Sequence, residues 1–127
     1  MEIKSQKPKV FHLTNKDIEL VKSVGTLFTY STDAILFYED QVPLVAYVLI
    51  DGDLLLTRNR RKSIPLSKNT VLGIREVLSS IPSLYAAKIK EGSKVFFLDK
   101  SSILELLSFS DQIDGELAEF LSSLEVA

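Results

Sequence analysis

The chain contains no cysteine and a single histidine, His12. It also has no apolar run approaching the roughly 20 residues that a membrane-spanning helix needs. Without cysteine there is no disulfide framework, thiolate metal ligand or thiol nucleophile. One histidine cannot supply the clustered His/carboxylate set on which a metal-dependent jelly-roll enzyme is built, and His12 has no partner nearby in sequence. A basic surplus is missing too: 15 Lys and Arg stand against 17 Asp and Glu, a net charge of −2. That balance argues against a general nucleic-acid binder. Neither a Gly-rich nucleotide loop nor a nucleophile–base pair occurs, and the acidic residues are dispersed, so no enzyme is expected. The N-terminal MEIKSQKPKVF lacks the apolar core of a signal peptide. The expectation is a soluble, cytoplasmic protein with no membrane segment, no metal and no cofactor.

What is present is ordinary globular composition, 127 residues with 46% hydrophobic and 25% charged, enough for one core. No internal repeat or interdomain linker is seen. Residues 1–12 read as an N-terminal extension and 13–127 as a single domain. Thr14 is placed to cap a helix, with Asp17 three residues on, Ile18, Val21 and Val24 at helical spacing, and Gly25 at its end. From about 26 to 99 short β-rich runs dominate. Asp51-Gly52, between apolar runs at 44–50 and 53–57, predicts a hairpin. Pro65 confines the run at 62–66 to a sheet edge. Helical periodicity returns over 100–125: Ile103, Leu106 and Leu107 share one face. A final helix, capped by Ser110 or Asp111, aligns Ile113, Leu117, Phe120, Leu121 and Leu124 opposite an acidic side. Many short strands with frequent turns point to a sandwich, jelly roll or barrel.

One stretch narrows the choice. LSKNTVLGIREVLSSIPSLYAAKIKEGSKVFFLD, residues 66–99, reads as a strand, a Gly-centred bend, a helical turn, a second bend at Ser80-Ile81-Pro82 and two strands. Asn69-Thr70-Val71-Leu72-Gly73-Ile74 resembles the Gly-Asp-x-Phe-Gly-Glu signature of the cyclic nucleotide-binding domain family. Pro82 lies at the family's interval from Gly73, and Val95, Phe96, Phe97, Leu98 and Asp99 fall on its last strand without a gap. Upstream, Asp40 stands where the family has a turn Gly, Tyr47 at its aromatic and Gly52 at its second Gly. The resemblance covers about residues 13–109. It implies a mainly β fold with flanking helices: a β-roll (double-stranded β-helix, or jelly roll) over about 26–99, an N-terminal helix and C-terminal helices.

On this resemblance the ligand contacts are absent. The family Glu that accepts from the ribose hydroxyl falls at Ile74, and the Arg that pairs with the cyclic phosphate falls at Ser83. A hydrogen bond to a charged group is worth ~1.5–3 kcal/mol, and removing one partner of a buried charge pair costs ~2–5 kcal/mol. Together these losses weaken binding by roughly a thousandfold or more. Ile74, with Leu72 and Leu84, is expected to take the ligand's volume. Arg75 and Glu76 stand beside the vacated positions, so a shifted bend would present one cation and one carboxylate. Free N–H groups of the helical turn also favour an anion.

Three surfaces then compete for a role: the C-terminal helix, the basic hairpin and an exposed strand edge. Arg58, Arg60 and Arg61 sit at a hairpin tip, where they either meet an acidic partner or phosphates, or simply keep an edge solvated. The stripe Ile113, Leu117, Phe120, Leu121 and Leu124 buries against its own roll, a second copy or a partner. The resemblance implies a degenerate ligand site (Gly73, Ile74, Arg75, Glu76, Pro82, Ser83) on a protein-interaction or adaptor module of a bacterial-type signalling assembly, with homodimerisation through the C-terminal helix in view. A sensor of a cyclic nucleotide or another phosphorylated metabolite through altered contacts is the alternative. No DNA-reading element follows the roll in this sequence, so direct DNA binding is not expected.

Overall fold

The structure, a computed structural model, describes residues 10–59, 62–109 and 111–126, with Lys62, Leu121 and residues 123–126 described by backbone alone. A short strand β1 (Val10–His12) leads into helix α1 (Asn15–Val24), then strands β2 (Thr26–Thr29) and β3 (Ala34–Phe37). Next come β4 (Val45–Asp51), β5 (Leu54–Arg58), β6 (Lys62–Leu66) and β7 (Thr70–Leu72). A short helix α2 (Ile74–Ser79) precedes β8 (Ala86–Ile89) and β9 (Lys94–Asp99), and helices α3 (Lys100–Leu107) and α4 (Gly115–Val126) close the chain. One sheet has the order β1-β7-β4-β9-β2 and the other β3-β8-β5-β6. This is the mainly β roll with flanking helices that the sequence predicts, and β6 with Pro65 occupies an edge as expected.

The Asp51-Gly52 turn is not a hairpin. Strand β4 pairs with β7 and β9, whereas β5 pairs with β6 and β8 in the other sheet. Each long antiparallel segment is bent once and carried from one sheet to the other. Residues 45–58 run along 86–99, residues 26–37 along 87–97, and residues 62–72 along 47–58. The corners lie side by side and are tied together. Ser93, 1% exposed, accepts at Oγ from Asp53 N at 3.0 Å. Lys90 N donates to Asp53 O at 3.1 Å, and Asn69 N to Leu49 O at 2.7 Å. Gly52 bends with φ +103°, and a Cβ there would collide with Ser93. The Asp-Gly signal located a bend correctly; the partners of the strands on either side decided that it is a corner.

Strands β4 and β9 read as continuous apolar runs because both of their faces are covered. Tyr47, Leu49 and Val95 face the roll interior with Phe37, Leu54, Leu56, Leu72, Tyr85 and Ile89. Ala46, Val48, Phe96 and Leu98 face the other way, under α1, α3 and α4, with Leu13, Ile18, Val21, Ile103, Leu106 and Leu117. Asp99 ends β9 and caps α3, accepting from Ser102 N at 2.8 Å. That backbone donor holds the Asp99 carboxyl below its ordinary range.

Both ends of the described chain close over this second core. Residues 10–12 were expected in an extension; instead Val10–His12 pairs with β7 along the edge of the first sheet. The last helix begins later than a cap at Ser110 or Asp111 would allow. Gly115 has φ +71°, which a helix interior does not accept, so Ile113 precedes the helix. Ser110 lies outside the described residues. A clasp joins the two ends: Thr14 Oγ1 accepts from Asp17 N at 3.1 Å and donates to Asp114 Oδ1 at 2.7 Å. Asp114 N in turn donates to Asp17 Oδ1 at 3.0 Å. His12 N donates to Glu116 Oε1 at 2.9 Å, and Phe11 meets Phe120 with ring centroids 4.5 Å apart.

Asp17 is 1% exposed, and burial pushes its carboxyl above the ordinary 3.8, with Asp114 adding to the rise and the Asp114 N–H opposing it. The folded state therefore holds this proton more tightly than the unfolded chain does. Its ionisation costs stability as pH rises through the interval above 3.8. Asp17→Asn keeps the acceptor and removes the charge, so the difference in melting temperature between variant and wild type should grow in the variant's favour from pH 4 to 7. Parallel melting curves across that range would contradict the assignment. Leu117 is fully buried, and Leu117→Ala should lower the unfolding free energy by about 2–5 kcal/mol in denaturant titration.

Candidate functional site

The cassette between β7 and β8 is shaped by backbone before side chains enter. Asn69 (φ +64°) turns the chain into β7, whose three residues are all buried. Gly73 leaves β7 with φ +94°, and a Cβ there would lie 3.3 Å from Ala46 Cα, so the strand passes too closely for a larger residue. Helix α2 lasts six residues and stops at Ser80, itself left-handed with φ +54°. Ile81 N closes the turn on Glu76 O at 3.1 Å. Asp40 (φ +67°) and Asn69 thus hold left-handed turns where the resemblance has glycine.

The second bend is locked to the turn that follows β3. Asp40 N donates to Ser83 O at 2.7 Å and Ser83 N to Gln41 O at 2.8 Å. Gln41 Oε1 accepts from Tyr38 N at 2.8 Å. Ser83 is 5% exposed, and its hydroxyl turns onto the backbone two residues on: Oγ donates to Tyr85 O at 2.7 Å and accepts from Tyr85 N at 3.2 Å. Pro82 beside it is exposed.

Of the residues expected to fill the ligand's volume, Leu72 and Leu84 do pack in the roll interior. Ile74 does not. It is 1% exposed and belongs to the core beneath the helices, with Val77 on the same side of α2. One helical turn places positions 74 and 77 on one face, and that face packs toward α3 in the helix-side core. Arg75 is half-buried, and Glu76 is buried within the same turn. Tyr47 is half-buried opposite Phe37, with ring centroids 6.3 Å apart. Burial pushes its phenol up to about 12, so it remains a neutral donor at physiological pH.

Sequence places Arg58 at a hairpin tip, either meeting an acidic partner or phosphates or keeping an edge solvated. It is half-buried and donates from Nη1 to Leu84 O at 3.2 Å, beside the bend. Asn59 N donates to Glu39 Oε1 at 3.0 Å, so the tip leans on the same turn as Ser83. No local signal could have found these contacts, which join residues 20 and 26 positions apart. Arg60 and Arg61 lie outside the described residues. On the C-terminal stripe, Ile113 and Leu117 are buried within the chain and Phe120 rests on Phe11. They cover the helix-side core and are not an open contact surface; the side chains of Leu121 and Leu124 lie outside the described residues. Exposed apolar side chains occur elsewhere: Tyr38, Val42 and Leu44 on the turn that clamps Ser83, and Leu27 and Phe28 on β2. A groove of about 330 Å³ on the outer face of the second sheet, lined by Ile35, Leu55 and Lys88 among others, includes no cassette residue. No described helix is long and apolar enough to cross a membrane.

No family model matches the chain, and no curated protein does. Solved structures do. A protein from a cyclic-GMP-dependent signalling pathway that regulates bacterial phytopathogenesis superposes with a TM-score of 0.76 at 15% identity, over 91% of this chain and 94% of that one. The catabolite activator protein of Thermus thermophilus gives 0.69 at 18% identity over 90% of this chain, which spans 54% of that protein's length. A regulatory subunit of a cAMP-independent protein kinase A from Trypanosoma cruzi, bound to guanosine, gives 0.60 at 20% identity, over 74% of this chain and 34% of that one. The chain has the fold of the cyclic nucleotide-binding domain.

Proposed function

We propose that this chain is a protein-interaction module of a signalling assembly, built on a cyclic nucleotide-binding fold whose ligand site has degenerated, and that it is not an enzyme. The observation that carries the reading is the state of the cassette. Ser83, at the family's phosphate-pairing position, is bonded to Tyr85, and Ile74, at its ribose-pairing position, is a core residue. The apolar turn that clamps the bend, with Leu44 83% exposed and Tyr38 59% exposed, supports a role for this region in contact with another protein. The folded C-terminal stripe favours a contact elsewhere than through Ile113 and Leu117.

One observation favours the alternative of a ligand sensor. Arg58 brings a guanidinium to the bend, and its several donors in a planar fork suit a phosphate or another anion. Among the structural neighbours, one belongs to a cyclic-GMP-dependent pathway and one holds guanosine. In this reading Arg58 replaces the cation that position 83 lacks.

Calorimetric titration with cyclic AMP, cyclic GMP and guanosine separates the two. The interaction-module reading expects no saturable heat at millimolar ligand. Micromolar binding that is lost in Arg58→Ala would replace it with the sensor reading. Restoring only the family's side chains should fail, because Ile74→Glu places a carboxylate in the helix-side core and should lower stability by about 3 kcal/mol or more in denaturant titration. An Ile74→Glu/Ser83→Arg double variant that folds normally and binds cyclic nucleotide tightly would refute this account of the cassette.

A further inference from the structure

Strand β2 ends the first sheet, and among the described residues its only strand partner is β9. All four of its residues are exposed, so among the described residues nothing covers that edge. Its sequence is Thr26-Leu27-Phe28-Thr29. An open edge is normally protected by Lys, Pro or an inward charge. This one carries none, and presents Leu27 at 53% and Phe28 at 47% exposure.

The register states which backbone groups are free. Tyr30 N donates to Ser93 O at 2.9 Å, continuing the β2–β9 ladder beyond Thr29. In an antiparallel ladder, alternate residues address the partner. Thr26, Phe28 and Tyr30 therefore turn their N–H and C=O groups to β9. Leu27 and Thr29 turn theirs outward. From these observations we infer that β2 is a homodimerisation edge: two copies pair antiparallel about a two-fold axis at Phe28, joining their first sheets into one.

A second copy is the occupant because the edge complements itself. Residues directly opposite across an antiparallel pair are either both hydrogen-bonded or both not. In the register centred on Phe28, Leu27 of each copy faces Thr29 of the other, and all four outward pairs of groups find partners. Thr26 then faces Tyr30, and Phe28 faces itself in a non-hydrogen-bonded pair, where side chains approach closest. Phe28 already meets Tyr30 edge-on, with centroids 4.7 Å apart, so the two-fold gathers four aromatic rings along the seam. Cross-strand aromatic pairs are among the favourable ones. No charge lies on 26–30, so the symmetric pairing opposes no like charges. At the strand's ends both signs occur, Lys22 and Glu19 at one, and Asp33, Glu91, Lys90 and Lys94 at the other. An isologous contact of this kind closes on itself.

The absence of cysteine allows a direct test. Opposite residues in a non-hydrogen-bonded pair have Cα atoms about 4.5 Å apart, within disulfide reach. Under mild oxidation at low micromolar concentration, Phe28→Cys should give covalent dimer far faster than Leu44→Cys, a more exposed position on a different turn. Light scattering of the unmodified chain should show mass rising from monomer to dimer with concentration. Phe28→Lys should remain monomeric with an unchanged circular dichroism spectrum, while Leu104→Lys, on exposed α3, should dimerise normally. Three results would each overturn the inference: a wild-type monomer at the highest concentration, a dimer that persists in Phe28→Lys, or equal cross-linking of Phe28→Cys and Leu44→Cys.

Discussion

The fold depends on four chain segments turning a corner in the same place. Antiparallel strands wound as a roll must leave one sheet and enter the other without orphaning backbone groups, since buried N–H and C=O groups are almost always paired. Here the corners at 30–33, 51–53, 67–69 and 90–93 satisfy one another. Ser93 bridges to Asp53, Tyr30 bonds Ser93 and Gly92, and Asn69 bonds Leu49. Left-handed backbone at Gly52, Asn69 and Gly92 makes the bends affordable to the chain. With the corners set, β4 and β9 are sandwiched between a roll interior and a helix layer, and the two cores follow.

The same constraint accounts for the cassette. Gly73 leaves β7 close to Ala46, and the helical turn after it packs on β4 and α3 with Ile74 and Val77 in the helix-side core. The bend at Ser83 is then held by backbone bonds to residues 40 and 41. Backbone hydrogen bonding and apolar packing thus hold the shape characteristic of the fold. Separation of scaffold from ligand chemistry is what allows one fold to host different functions.

Much of this was legible beforehand. Thr14 caps its helix because a short polar side chain before an apolar period has one good use there. Pro65 sits on an edge because it cannot donate to a central ladder. Asp40 and Asn69 occupy left-handed turns because their side chains tolerate that backbone. The errors have a common origin. Asp51-Gly52 was read as a hairpin and Val10–His12 as an extension; in each case a partner distant in sequence decided the outcome. Ile74 was assigned to the ligand's volume because sequence records its position in a motif and not the side of the turn it faces.

The amino-acid sequence by itself determined the class of structure, the starts of α1 and α3, and the bends at Asp40, Gly52 and Asn69. These are local properties, set by backbone preference and side-chain type within a few residues. Only the tertiary structure decided which sheet each strand joins, that the two ends of the described chain clasp through Thr14, Asp17 and Asp114, and that Ile113 and Leu117 of the C-terminal stripe are buried. It alone shows that β2 is an edge strand left uncovered among the described residues. The physical reason is that strand pairing and burial are interactions between segments tens of residues apart, and their energy appears only once loop closure has brought those segments together.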